Sequence, residues 1–328
     1  MKSSKRTILV TGAAGYIGSV VTRLFLEAGF AVRALDILRS GGESLLELWG
    51  HSDFSFIKGD VRDPATVAQA TSGCYGVAHL AAIVGDPACR AEPDLARSTN
   101  LDGGKLLYES ANKAGCERFV FASTCSNYGK MADPESFVTE ESDLSPLSIY
   151  AETKVAFEKF LLGQPRSNPC VPTSLRFSTV YGLSPRIRFD LTVNEFTREV
   201  ALGKKLVIFG EQFWRPYCHV ADLARSVVAV VQAETTSVGF DVFNVGDTKE
   251  NYTKQMIVDE ILRQIPSAVV EKVSRKEDPR DYRVNFDKIR NRIGFEITKR
   301  VPDGIREIRE ILQHGMLLNP YEPRYSNV

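Results

Sequence analysis

Histidine and cysteine are scarce in this chain, four and six among 328 residues, with no CxxC pair and no ligand spacing of the kind a zinc or cluster site needs. No metal is expected. The cysteines at 74, 89, 116, 125, 170 and 218 read as scattered free thiols of a reducing compartment. Long apolar runs are missing as well. Nothing approaches the ~20 residues that a membrane-spanning helix requires, and "MKSSKRT" passes directly into "ILV" without the apolar core of a signal peptide, so a cytoplasmic protein is expected. An excess of one charge is also lacking: 41 basic residues meet 41 acidic ones, and no overall field draws the chain to nucleic acid or to an anionic membrane surface. Neither a repeat, a low-complexity tract nor a Pro-, Gly- or Ser-rich linker appears. What remains, 43% hydrophobic and 25% charged residues, is the balance of an ordinary globular protein with one large core or two smaller ones.

The first half alternates short apolar runs with longer amphipathic stretches. Residues 7–12, 31–36, 54–60, 76–82, 118–123 and 173–179 read as strands, and 15–29, 64–72, 94–115 and 150–163 as helices on their apolar spacing. That alternation predicts an α/β fold, a Rossmann-like doubly wound parallel sheet with both faces covered. Beyond about residue 180 the rhythm loosens, with helices expected over 194–204, 220–234, 250–265 and 301–315 and strands at "LVIFG" and "DVFNVG". The economical division is 1–179 as a dinucleotide-binding domain and 180–328 as a smaller α+β substrate domain, some of whose segments pack back on the first. The last stretch, "LNPYEPRYSNV", carries two prolines and reads as a poorly ordered tail.

In "LVTGAAGYIGSVV" (9–21), Gly12, Gly15 and Gly18 stand three residues apart directly behind an apolar run. In a βαβ unit such glycines allow a tight turn, close approach of backbone to a pyrophosphate, and close packing of helix on strand, while the helix starting near Tyr16 aims its free N–H groups at the phosphates. Alone, the spacing serves equally as a chain corner. Asp36, 18 residues after Gly18 at the end of the second strand, is placed to accept both hydroxyls of an adenosine ribose, which favours NAD. A 2′-phosphate would meet like charge there, although Arg33 and Arg39 stand nearby and keep NADP as the lesser alternative.

With "KGDVRD" (58–63) and "HLAA" (79–82) ending the third and fourth strands, the chain resembles the extended short-chain dehydrogenase/reductases, specifically their nucleotide-sugar epimerase/dehydratase branch. "STCSNYG" (123–129), "YAETK" (150–154), "LRFSTVYG" (175–182) and "WRPYCHVADLA" (214–224) follow in order, and the resemblance runs over about residues 7–315. It implies that Asp60 and Val61 hold the adenine, that Leu80, Ala81 and Ala82 line the cofactor, and that Asn100 supports the active-site region. It adds Tyr16, Ile17, Ser123 and Phe177 to the cofactor contacts. It also implies a homodimer paired through the helices near 94–115 and 150–163.

Tyr150 and Lys154, four apart on a helix, share one face. Taken alone such a pair is usually a solvated face. A phenol with a pKa near ~10 is a poor base at neutral pH, and an adjacent ammonium that stabilises the phenolate makes it a usable one. Thr124 reaches the same substrate hydroxyl and completes a Thr–Tyr–Lys set like the family's. Lys154 is placed to hold the nicotinamide ribose as well.

For the substrate, Arg215 in "FGEQFWRPYCHV" and Arg280 in "EDPRDY" match arginines that fork onto a nucleotide diphosphate. The family's usual asparagine near position 179 is replaced by Ser178–Thr179, which leaves Thr179 and Asn194 as candidate substrate contacts. Roles for Arg186, Arg188 and Cys125 stay open. Where 4,6-dehydratases carry an acid after the threonine, this chain has Cys125 and Ser126, which disfavours dehydration and decarboxylation. The expected function is an NAD-dependent nucleotide-sugar epimerase acting at C4 through a 4-keto sugar. A 4-oxidase or ketoreductase on the same substrates is the nearest alternative, and a catalytically silent NAD-binding regulator the alternative from another class.

Overall fold

The computed structural model describes residues 5–131, 133, 136–273 and 280–327. Seven parallel strands form the main sheet: β1 (Thr7–Thr11), β2 (Ala31–Asp36), β3 (Phe54–Lys58), β4 (Gly76–His79), β5 (Arg118–Thr124), β6 (Val171–Phe177) and, later in the chain, a strand at Asp241–Val245. Between β6 and that strand lie β7 (Thr179–Tyr181), β8 (Leu206–Ile208) and β9 (Trp214–His219); the seventh sheet strand is therefore β10, followed by β11 (Asn251–Thr253) and β12 (Val270–Lys272). The sheet order is β10-β6-β5-β4-β1-β2-β3, doubly wound from β1 outward. Strands buried on both faces read as nearly unbroken apolar runs, and β1 and β4 are such runs.

Two cores cover the sheet. On one face Val20, Val21 and Phe25 of the helix Gly18–Glu27 pack with Leu223, Val227 and Val230 of the helix Val220–Gln232. On the other, Leu107 and Tyr108 of the helix Gly104–Lys113 meet Phe157 and Leu161 of the helix Ile149–Leu162. Beyond β6 a separate core of Tyr181, Val193, Ile208, Tyr217, Ile257 and Ile305 joins the small sheets β11-β9-β7 and β12-β8 to the late helices.

Chain beyond residue 180 packs back on the first region, supplying β10 and the helix Val220–Gln232 to the main sheet layer. Two expectations need adjustment. The helical stretch expected over 94–115 runs from Pro93 to Lys113 but opens into a π-helical turn at Ser98–Gly103; such turns re-aim a side chain, here that of Asn100. The tail is ordered: Tyr325 is buried beside Phe189 and Leu312, and the Phe189 N–H donates to the Tyr325 carbonyl at 2.8 Å. Two prolines restrict chain entropy there rather than prevent docking.

Candidate active site

The main cleft, of about 760 Å³, opens at the carboxyl ends of the sheet strands, between β1 and β4 where the strand order reverses. Open α/β sheets bind ligands at this point, because the two crossovers leave in opposite directions and part the loops. Gly12 takes a left-handed conformation (φ 69°), and a Cβ there would lie 2.8 Å from the Ala81 nitrogen. A Cβ on Gly18 would fall 1.9 Å from the Gly12 carbonyl oxygen. These two glycines thus seat the loop against β4 and the helix against the loop. Ile17 caps the helix Gly18–Glu27 with no side-chain hydrogen bond, and its first turn carries no acidic residue. The start of that helix lines the cleft with no carboxylate of its own to repel an anion, which fits a diphosphate.

Tyr16, Ile17, Asp36, Asp60, Val61, Leu80, Ala81, Ala82, Ser123 and Phe177 all line this cleft, as do Thr124, Tyr150 and Lys154. The Asp36 carboxylate accepts the Ala14 N–H at 2.9 Å and the Leu38 N–H at 2.7 Å. Burial pushes its pKa up, while those hydrogen bonds and the charge of Arg186 pull the other way. Asp60 is held ionised by the Arg62 guanidinium, whose Nε donates to both carboxylate oxygens at 3.0 Å. Asn100 is not part of the lining. It is buried behind it, accepting the Ile83 N–H at 2.8 Å and donating to the Ile83 carbonyl and to Thr153 Oγ1, and so ties the β4 loop to the tyrosine helix.

Ser148 caps that helix by accepting the Ala151 N–H, which fixes Tyr150 in its first turn. One turn on, the Lys154 ammonium donates to the Ala122 carbonyl at 2.8 Å and lies 5.8 Å from the Tyr150 ring centre. The Thr124 hydroxyl reaches the phenol and favours its ionised form. The anticipated electrostatics are altered here. Burial raises the Tyr150 pKa well above the usual phenol range, Cys89 and Asp86 add to this, and Thr124 and Arg188 only partly offset it. Burial lowers Lys154 to about 7. Desolvation opposes charge on both partners.

Behind the pair stands a buried network that sequence reasoning overlooked. Glu158 lies one turn beyond Lys154; its Oε2 accepts from Ser123 Oγ at 2.9 Å and its Oε1 from Arg176 Nη2 at 2.5 Å. Arg176 Nη1 also donates to the Tyr128 hydroxyl, which donates to Asn244 Oδ1. Glu158 and Arg176 are 1% and 3% exposed, so this ion pair clamps the helix of Tyr150 to β6 away from solvent, and the Ser123 hydroxyl ties the same carboxylate to β5, the strand of Thr124. A carboxylate one turn beyond Lys154 on the inner face of "YAETKVAFEKF" was the available signal.

Of the anticipated substrate residues, Arg215 and Arg280 both act on Tyr282, while Thr179 and Asn194 lie apart from them. Thr179 sits in β7, paired with Tyr217 rather than lining the cleft. Asn194 is corrected: it is fully buried away from the cleft, accepting the Gly182 N–H and donating to the Tyr16 hydroxyl and the Gly182 and Arg188 carbonyls, so it holds the fold rather than a ligand. Arg215 is buried, donating to the Trp214 carbonyl and lying over the Tyr282 ring at 5.1 Å. Arg280 pairs with Asp86 at 3.2 Å, at the start of the helix Asp86–Ala91 that also carries Cys89. Cys125 is buried, with its thiol donating to the Arg176 carbonyl and its pKa pushed up by desolvation. Arg186 and Arg188 both line the cleft. Among the described residues no group of three or more His, Cys, Asp or Glu side chains is placed to hold a metal, and no helix is long and apolar enough to cross a membrane.

Residues 8–246 match the model of the NAD dependent epimerase/dehydratase family. The chain is 30% identical to UDP-glucose 4-epimerase 1 of Oryza sativa subsp. japonica over 302 residues, 84% of this chain and 82% of the relative. Among solved structures, the UDP-glucose 4-epimerase of Thermotoga maritima with UDP-glucose superposes with a TM-score of 0.83 at 26% identity, covering 95% of this chain and 100% of that one. That of Thermus thermophilus in complex with NAD gives 0.79 at 26% identity, with 93% and 98% covered.

Proposed function

The chain belongs to the NAD dependent epimerase/dehydratase family, and from that premise we propose that it inverts C4 of a nucleotide-diphosphate sugar with NAD as its resident cofactor. One observation carries the reading: Tyr150, Lys154 and Thr124 line the same cleft as the glycine loop and Asp36. The glycine loop and helix start hold the diphosphate, Asp36 the adenosine ribose, and Lys154 the second ribose. Bound there, NAD would supply a reversible hydride acceptor and a positive charge beside the phenol.

Tyr150 takes the proton of the C4 hydroxyl and returns it at the end, while Thr124 keeps that hydroxyl against the phenol. Inversion requires the 4-keto sugar to turn before reduction. Arg215 and Arg280 hold the diphosphate on the substrate side. The carboxylates lining the cleft are Asp36, Asp60 and Glu92, of which Asp60 and Glu92 are engaged with Arg62 and Arg39. None stands at Thr124, where water loss would need an acid, and this favours epimerisation over dehydration.

Leu106, Phe160 and Leu162, partly exposed on the two neighbouring helices, support a homodimer through that face, and six free thiols support a reducing, cytoplasmic setting. The test is incubation with UDP-, dTDP-, GDP- and CDP-sugars followed by NMR. A C4-inverted product without net change in NADH is expected. Inversion of no donor would remove the proposal, and stoichiometric formation or consumption of NADH would replace it with an oxidase or ketoreductase.

A further inference from the structure

The C-terminal segment reaches the cleft that the cofactor reading assigns to adenosine. Ser326 and Asn327 line it opposite Asp36, Arg39, Ser40 and Gly41. Arg186 joins the two walls, its Nη2 donating to Ser40 Oγ at 3.0 Å and to the Ser326 carbonyl at 3.3 Å. Its Nε–H is buried without a hydrogen-bond partner, and its charge acts on Asp36. The segment is anchored outside the cleft. Tyr325 packs edge-on against Phe189 with ring centres 5.9 Å apart, and the Asn327 N–H donates to Asp190, itself paired with Arg188.

We propose that Arg186 and residues 325–327 form an outer clasp on the adenosine subsite, which must open for the cofactor to enter or leave. The inference rests on the NAD reading above. Its physical basis is that Arg186, a half-buried cation, bridges Ser40 on one wall and Ser326 on the other through two hydrogen bonds, strong enough to hold a segment and weak enough to break without unfolding the sheet. Arg186 thereby serves cofactor retention rather than the sugar. An epimerase gains from this, because a hydride lent to the cofactor has to return to the same sugar.

The experiment is stopped-flow release of bound NADH, chased with excess NAD, for the wild type, Tyr325→Ala and Arg186→Gln, each checked by thermal melting. Both variants are expected to release NADH on the order of tenfold faster, the scale of losing one charge-assisted hydrogen bond and appearing mainly in the dissociation rate. Release within twofold of wild type by the folded variants would overturn the clasp. Hydrogen exchange on the unaltered protein reads the same point without a variant: NADH should slow exchange at the Tyr325 and Asn327 amides, and no change would also overturn it. Failure of the wild type to bind NADH in calorimetry would instead remove the cofactor reading itself.

Discussion

The three loop glycines are predicted to separate by what replacement costs. Gly12→Ala puts a side chain at φ 69° and 2.8 Å from the Ala81 nitrogen. A left-handed residue costs about 1–2 kcal/mol and overpacking against backbone about 1–3 more, a large share of a typical 5–15 kcal/mol stability. Gly18→Ala is worse placed, its Cβ 1.9 Å from the Gly12 carbonyl oxygen, and the helix must move away from the loop to admit it. Gly15→Ala meets only the Gly12 carbonyl oxygen, at 3.1 Å, and its φ is not in the left-handed region. Its new methyl lies in the cleft. Melting should therefore fall by several degrees or more for Gly12→Ala and Gly18→Ala and by little for Gly15→Ala, while NADH binding by fluorescence weakens in all three. Wild-type melting of Gly18→Ala, or wild-type NADH affinity of Gly15→Ala, would refute the division of labour drawn from the loop geometry.

Tyr150→Phe should lower kcat by about 10²–10⁴ with NADH binding kept, and Thr124→Ala by less, both measured as sugar inversion under saturating donor. Glu158→Gln leaves the Arg176 guanidinium buried without its carboxylate and should cost about 3–5 kcal/mol in denaturant unfolding. The double variant Glu158→Met, Arg176→Met should recover most of that stability but not the activity, since the strand and helix lose their common anchor. His79, stacked on Phe121 with its Nδ1 2.8 Å from Thr11 Oγ1, is held neutral by burial, with a pKa near 3 against an ordinary 6.5. Between those values the unfolded chain takes up a proton that the folded one refuses, so stability falls as pH drops below 6.5 and is unaffected above it. His79→Phe should remove about 1.4 kcal/mol of stability loss per pH unit in that window, and identical acid profiles for variant and parent would count against it.

Legibility in the sequence followed the range of the interactions. The glycine loop, the Asp36 position, and the Tyr150–Lys154 turn are local patterns, and all of them meet at one cleft. Asn194 misled because a polar residue on an amphipathic helix looks available until Gly182, Tyr16 and Arg188 converge on it from far along the chain. The ordered tail was missed for the same reason, its partner Phe189 lying well over a hundred residues earlier. The lysine's effect on the phenol could not be judged from spacing, because burial acts on both groups and is set by the whole fold.

The late arrival of β10 at the main sheet has a consequence for biosynthesis. Until Asp241–Val245 pairs with Thr173–Phe177, β6 is a bare border strand with its ladder of N–H and C=O groups open to other chains. At about 5–20 residues per second the nascent polypeptide carries that border for several seconds. A product cut at residue 180 would carry it permanently and is expected to associate with its own kind.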